Sequence, residues 1–174
     1  MKTDAVSPVI GVLLMLTLTL IIAAIVNSYA GGLMDTEPKA PSVTLQVKYS
    51  QSNGMEIRHV SGDPLPTAAL KILLRPSETM GRNASQSASE IDKKYITDKP
   101  DSSNSWASVI TSFKVGDVGY ITKSNIDQIQ AGISDQFLIN KNETSGVNNR
   151  GNTFFLEVYY KNTMISRNEV LIEV

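Results

Sequence analysis

Few residues in this chain have types and spacings that could do chemistry. His59 is the only histidine and there is no cysteine. Without a thiolate or a flanking acidic pair, His59 is a poor metal ligand, and it is read as a surface or edge-strand residue. Gly116-Asp117-Val118-Gly119 sets two glycines around an aspartate. Such a segment can form an anion-binding nest of backbone N–H groups, but a turn between two strands is the simpler reading. Asn83-Ala84-Ser85 and Asn142-Glu143-Thr144 fit the N-x-[S/T] acceptor pattern. Both fall in expected loops, so Asn83 and Asn142 are candidate N-glycosylation sites on an extracellular domain; chance is the competing reading. No Walker loop, nucleophile elbow or zinc signature occurs. A Ser–His–Asp set could be drawn only by choosing freely among many serines. No enzyme, no metal and no cofactor is therefore expected.

Bulk composition points the same way. The 174 residues carry 16 Lys and Arg against 17 Asp and Glu, a net charge of −1. A nucleic-acid partner would call for a basic patch or a high pI, and neither is present. The lack of cysteine excludes disulfide staples, so any extracellular domain must be held by core packing alone.

The elements that must position these residues are of two kinds. From Ala5 to Met34 no side chain is charged. As a helix, Val6 to Val26 would rise roughly 31 Å, close to the ~30 Å hydrocarbon thickness of a bilayer. Its thirteen Val, Leu and Ile residues favour insertion by roughly 4 to 8 kcal/mol. The hydroxyls of Thr17 and Thr19 can be satisfied on carbonyls of the preceding turn. Pro8 fits the first turn, where N–H groups lack intrahelical partners, and Ser7 can cap an uncut helix. Apolar on every face, this helix suits a membrane span or the centre of a bundle. Three readings remain open: a secretory signal cut after Ser28-Tyr29-Ala30, a plain membrane anchor, or a filament subunit whose helix starts in lipid and is later packed in a fibre. An h-region is usually about 7–15 residues behind a basic n-region, which fits this segment poorly.

The third reading is favoured by a resemblance. Asp4-Ala5-Val6-Ser7-Pro8-Val9-Ile10-Gly11-Val12-Leu13-Leu14-Met15, with the apolar run ending at Ala30-Gly31-Gly32, resembles the N-terminal region of archaeal type IV pilins of the methanogen type, relatives of archaellins. A weaker likeness extends over Lys39 to Arg75, around Ile57-Arg58-His59-Val60-Ser61-Gly62-Asp63-Pro64-Leu65. The resemblance implies that residues 1–4 are a leader removed by a membrane aspartic protease of prepilin-peptidase type. The cut would fall between Asp4 and Ala5. It further implies a subunit that sits in membrane lipid, then polymerises with copies of itself into an extracellular filament. Adhesion or surface display falls to the remaining domain, with a swimming archaellin as the alternative. The chain departs from the pattern in its leader, where Asp4 is unusual at the cut and Lys2 is the only cation. The glutamate of bacterial pilins is also absent, with Val9 near its place, so assembly would rest on packing. Val6, Pro8, Val9, Ile10, Gly11, Val12, Leu13, Leu16, Leu20, Ala23 and Ala24 are the candidate packing residues. Gly11, Ala23 and Ala24 are small enough to let neighbouring helices approach closely. A monomeric anchored domain that binds an external partner remains the reading from a different class.

Ala30-Gly31-Gly32 ends the helix or forms a hinge, and residues 33–41, with two prolines, read as a linker. Period two then begins. Val43–Tyr49 alternates, Ser50–Gly54 ends in an Asn-Gly turn, and Met55–Val60 completes a hairpin. Ala68–Arg75 reads as a third strand. Pro76–Ser105 reads as a long surface loop or an insertion with marginal structure. Strand signals return at Trp106–Phe113, Tyr120–Thr122, Gln136–Ile139, Thr153–Tyr160 and Glu169–Val174, with one helical turn capped by Ser124 between the second and third of these. The expected fold is α+β: a hydrophobic helix over 5–32 and an all-β, immunoglobulin-like sandwich of about seven to nine strands over 42–174.

Overall fold

The structure is a computed structural model that describes residues 6–32, 39–141 and 147–174. The chain divides into two units, Met1–Lys39 and Ala40–Val174.

The first unit is built on helix α1, Val6–Gly32. It starts one residue before Ser7, which leaves Pro8 in the first turn where its missing N–H costs nothing. It stops at the glycine pair expected to end it. Thr17 and Thr19 donate their hydroxyls to the carbonyls of Leu14 and Leu16, each at 2.9 Å. That back-bonding removes the only hydroxyls in the middle of the span that would otherwise need an outside partner. Residues 33–38 of the expected linker lie outside the described residues.

The second unit is β-rich. Strands β1 (Val43–Ser50) and β2 (Gly54–Gly62) form the hairpin that the Asn-Gly signal predicts. Gly54 has φ +99°, and a Cβ there would lie 2.2 Å from the Ile121 carbonyl oxygen, so both backbone and space demand glycine. After β3 (Leu65–Pro66) come β4 (Leu70–Pro76), β5 (Ser89–Glu90), β6 (Ser112–Phe113) and β7 (Val118–Thr122). A single turn of helix, α2 (Ile126–Ile129), precedes β8 (Thr153–Tyr160) and β9 (Thr163–Glu173). Seven strands join in the order β5-β4-β8-β9-β1-β2-β7, and β3 pairs with β6 separately. β9 links the two halves of the large sheet. It runs antiparallel to β8 for most of its length and meets β1 in parallel only at Tyr49↔Ile172 and Ser50↔Glu173. An apolar helix followed by a β-rich sheet domain is thus the fold. This strand order does not establish an immunoglobulin-like sandwich.

Period-two alternation builds the core. Met55 and Ile57 of β2, Ile72 and Leu74 of β4, and Phe154, Leu156 and Val158 of β8 are all buried. The Tyr49 and Phe154 rings meet edge to face at 5.7 Å. His59 overturns the surface reading. It is 1% exposed, stacks on Phe113 with ring centres 5.3 Å apart, and places Nδ1 3.1 Å from the Phe113 carbonyl. Met55, Ile57 and His59 occupy alternate positions of one strand, so strand phase rather than polarity fixes the direction of the ring.

Between the strands the structure departs from expectation in four places. Pro76–Ser105 is no mere surface loop, because Ala84, Ile91 and Ile96 are buried in the core. Trp106–Phe113 is strand only at Ser112–Phe113; the rest turns, with Trp106 buried against Phe113 at 4.6 Å between ring centres. Gln136–Ile139 overlaps a 3-10 turn, Asp135–Phe137, and not a strand. The Asn149 amide holds that turn through the carbonyls of Gln136 (3.1 Å) and Leu138 (2.8 Å). Finally, Ser124 does not cap the helical turn. Its hydroxyl bonds the Thr122 hydroxyl at 3.0 Å, and Lys123–Asn125 forms a 3-10 turn ahead of Ile126.

Glu157 sits on the face of β8 opposite Phe154, yet is 3% exposed. Arg75 of β4 reaches it with Nε at 3.1 Å from Oε1 and Nη2 at 3.3 Å from Oε2. Arg167 of β9 lies 3.5 Å away, and the Tyr159 hydroxyl donates at 3.2 Å. Arg167 also stacks on Phe155, 4.0 Å from the ring centre. This two-pronged pair closes the outer face over β4, β8 and β9. Glu157→Gln keeps the shape but removes the charge that two guanidinium groups face. It should lower unfolding free energy by about 2 kcal/mol, since Arg75 keeps partial access to water. Denaturant unfolding of the full chain measures this; an unchanged midpoint would deny the pair a stabilising role.

Candidate functional site

The described side chains of α1 are exposed on every face of the helix. Val9, Ile10, Val12, Leu13, Leu16 and Leu20 are 50 to 65% exposed, and Gly11, Ala23 and Ala24 are exposed as well. At 100° per residue, Val9, Leu13, Leu16, Leu20 and Ala23 recur at spacings of four and three and so line one stripe. Ala24 stands a turn beyond Leu20. The other faces are equally apolar, so chemistry alone singles out no stripe. A Cβ added at Gly11 would meet nothing within 4 Å. The single chain thus makes no demand for glycine at that position. Val9–Ala30 is long and apolar enough to cross a membrane. In water such a surface is unfavourable by about 25 cal/mol per Å² of exposed apolar area, so the helix requires lipid or other helices. Val6 and Pro8 lie within α1, while the Asp4–Ala5 bond, the expected cut, lies outside the described residues.

Asn83 is exposed, with φ +64°. Its backbone N–H donates to Glu78 Oε2 at 3.1 Å, and the Ser85 hydroxyl donates to Glu78 Oε1. The Ser85 bond, followed by the backbone bond from Asn83, holds the Glu78 carboxyl below the usual carboxylate range. This sequon is therefore an ordered surface turn. Asn142 lies outside the described residues. Gly116 and Asp117 form a turn ahead of β7, which takes in Val118 and Gly119, and the turn's amides are already used. Gly116 N–H donates to the His59 carbonyl and Asp117 N–H to the Lys114 carbonyl, each at 2.9 Å. Among the described residues, no group of three His, Asp or Glu side chains is placed to hold a metal.

Sequence reasoning missed an open cleft of about 670 Å³ at one end of the sheet, lined by residues from β1, the β1–β2 turn, α2 and the segments before β8. Its members lie in five separate stretches of chain, and no local spacing announces them.

An exposed, uniformly apolar helix ahead of a β-rich domain fits a chain anchored in a membrane through its N-terminal region. Residues 4–45 match the model of the family described as archaeal type IV pilin, N-terminal. The match takes in all of α1 and reaches the first residues of β1, and it supports a pilin- or archaellin-like structural subunit. A protein of Archaeoglobus fulgidus described as uncharacterized is 40% identical over 80 residues, 45% of this chain and 57% of that protein. The chain thus spans little more than half the length of that relative.

Proposed function

We propose that this chain is a structural subunit of an archaeal type IV pilus-like surface filament. One observation carries the reading: α1 is exposed and apolar on every side, within a region that matches the pilin N-terminal family. The subunit first rests in membrane lipid through Val9–Ala30. A prepilin-peptidase-type enzyme then removes residues 1–4 by cutting between Asp4 and Ala5. The freed helix packs against helices of other copies, and burial of Val, Leu and Ile surface drives assembly without a charge pair. Gly11, Ala23 and Ala24 allow close approach. The β-rich domain serves adhesion or display and offers Asn83 as a glycan acceptor. None of these roles asks for a catalytic residue or a cofactor.

Intact mass of the subunit from native cells tests the reading. Filament material should lack the first four residues, and a glycan at Asn83 would add a discrete increment. A subunit that begins at Gly31 would indicate ordinary secretion, and one that keeps Met1 would indicate a plain anchor. Either result overturns the proposal.

A further inference from the structure

Three segments of the β-rich unit meet at the end where the chain leaves toward α1. Asp63 N–H donates to the Ser42 carbonyl at 2.8 Å, and Ser42 N–H donates back to Asp63 Oδ2 at 3.0 Å. The exit of the chain is thus fastened to the end of β2. Gly116 N–H donates to the His59 carbonyl at 2.9 Å, and Leu65 pairs with Phe113. These contacts set the Lys114–Asp117 turn beside the same exit. β9 runs parallel to β1, and Asn168 Nδ2 donates to the Leu45 carbonyl at 2.7 Å. The β8–β9 turn and the first residues of β9 therefore lie at this end as well. An apolar side chain stands out from each segment: Val60 is 47% exposed, Val115 54% and Met164 44%. Lys114 and Lys161 are exposed beside them, and neither enters an ion pair among the described residues. The carboxylates at this end are held back on the turns, Asp63 by Ser42 N–H and Asp117 by Lys114 N–H at 2.8 Å.

We infer that this end of the β-rich unit docks on the membrane surface while the subunit is anchored, with Val60, Val115 and Met164 at the acyl boundary and Lys114 and Lys161 at the headgroup phosphates. The inference rests on the membrane stage of the proposed function. The length of chain between Gly32 and Ser42 selects lipid as the occupant. At about 3.4 Å per residue it reaches at most about 35 Å, so headgroups stay within range of this end. A tether this short raises the effective concentration of the surface to roughly millimolar, so a few side chains suffice where a free domain would stay in solution. Single exposed aliphatics are ordinary on a protein surface. Aliphatic tips beside lysines at the tethered end match the interfacial pattern, in which apolar groups sit below the headgroups and ammonium groups snorkel up to them. A second copy of this chain reaches the same tips only by diffusion, whereas lipid is tethered to them from the start.

The chain has no cysteine, so a single introduced one reports from a chosen place. Val115→Cys and, at the opposite end of β1, Asn53→Cys are each labelled with a nitrobenzoxadiazole dye in the full chain. Each is reconstituted in phosphatidylcholine–phosphatidylglycerol vesicles that carry a headgroup-nitroxide lipid. Quenching at the Val115 position should exceed that at the Asn53 position at least about twofold. The tether alone biases this end toward the bilayer, so a second substitution separates docking from tethering. Met164→Asp and, separately, Lys161→Glu should each lower quenching at the Val115 position at least about twofold. Both side chains are exposed, so the fold accepts the changes. Equal quenching at the two labelled positions would overturn the inference, as would quenching at the Val115 position that neither substitution alters. Dye emission that shifts only as protein concentration rises would mean that a second copy covers the face, and would overturn it too. Flotation separates this inference from the reading beneath it. A chain that does not float with the vesicles overturns the membrane stage and the docking together, whereas one that floats with equal quenching overturns the docking alone.

Discussion

Leu16→Asp should abolish filaments while leaving the β-rich domain folded. Leu16 sits mid-helix and more than half exposed in the single chain. Exchanging a leucine for an aspartate at the centre of a membrane helix costs about 3 to 4 kcal/mol on insertion scales. In a packed bundle it buries a carboxylate with no partner, which costs more. Loss of fibres from this variant alone would not separate failed insertion from failed assembly. Gly11→Leu does. It adds apolar surface, so membrane insertion is kept or improved. Space around Gly11 is empty in the single chain, so the subunit itself accepts the side chain. Filaments should nevertheless fall at least about tenfold, because helices that approach at Gly11 can no longer do so. Membrane fractionation with electron microscopy of shed material reads both steps. Normal fibres from both variants would mean that α1 is an anchor and nothing more.

Phe154→Ala should have the largest effect on the second unit. Phe154 is fully buried in β8 and pairs with Val170 of β9 and Pro76 of β4. Its ring also meets Tyr49 of β1 edge to face. It therefore touches both halves of the sheet beside the short parallel junction of β1 with β9. Removing a buried phenylalanine costs about 3 to 5 kcal/mol, lost transfer energy plus the cavity left behind. Against a typical domain stability of about 5 to 15 kcal/mol, that is a large share. The expected fall in melting temperature is about 10 to 20 °C. Thermal unfolding followed by near-UV circular dichroism measures it, since Tyr49 reports on the same packing. The hydroxyl of Tyr49 supplies an internal check. Burial, with the nearby Asp127 carboxylate adding to it, pushes its pKa above the ordinary phenol range. A cavity that admits water should bring that ionisation back toward normal. A shift of only a degree or two would show that the two halves of the sheet do not depend on each other through Phe154.

How far the sequence could be read followed from how local each signal was. The uncharged run before Asp35 marked α1 because membrane-length apolar stretches are rare and need no partner to be recognised. β1, β2, β4 and β8 were legible because alternation and an Asn-Gly turn act within a few residues. Pro76–Ser105 was not, since Ala84, Ile91 and Ile96 are spaced too irregularly to show a period. They are buried by turns and by long-range bonds such as Trp106 N–H to the Ile96 carbonyl at 2.9 Å. Gln136–Ile139 read as strand because Phe137, Leu138 and Ile139 form a short apolar run, but the Asn149 amide captures the carbonyls of Gln136 and Leu138. His59 shows that a polar side chain follows the phase of its strand when a carbonyl waits inside. The charged cleft was invisible for a further reason. Gln51, Lys123, Asp127, Asn140 and Arg150 are brought together only by the finished sheet, and none stands out alone.

A cryo-electron microscopy map of native filaments tests most directly whether one apolar helix serves first in lipid and then in a fibre. Subunits should start at Ala5, with Val9–Ala30 helices in contact with one another along the filament axis. Filaments in which that segment is absent or faces solvent would contradict it.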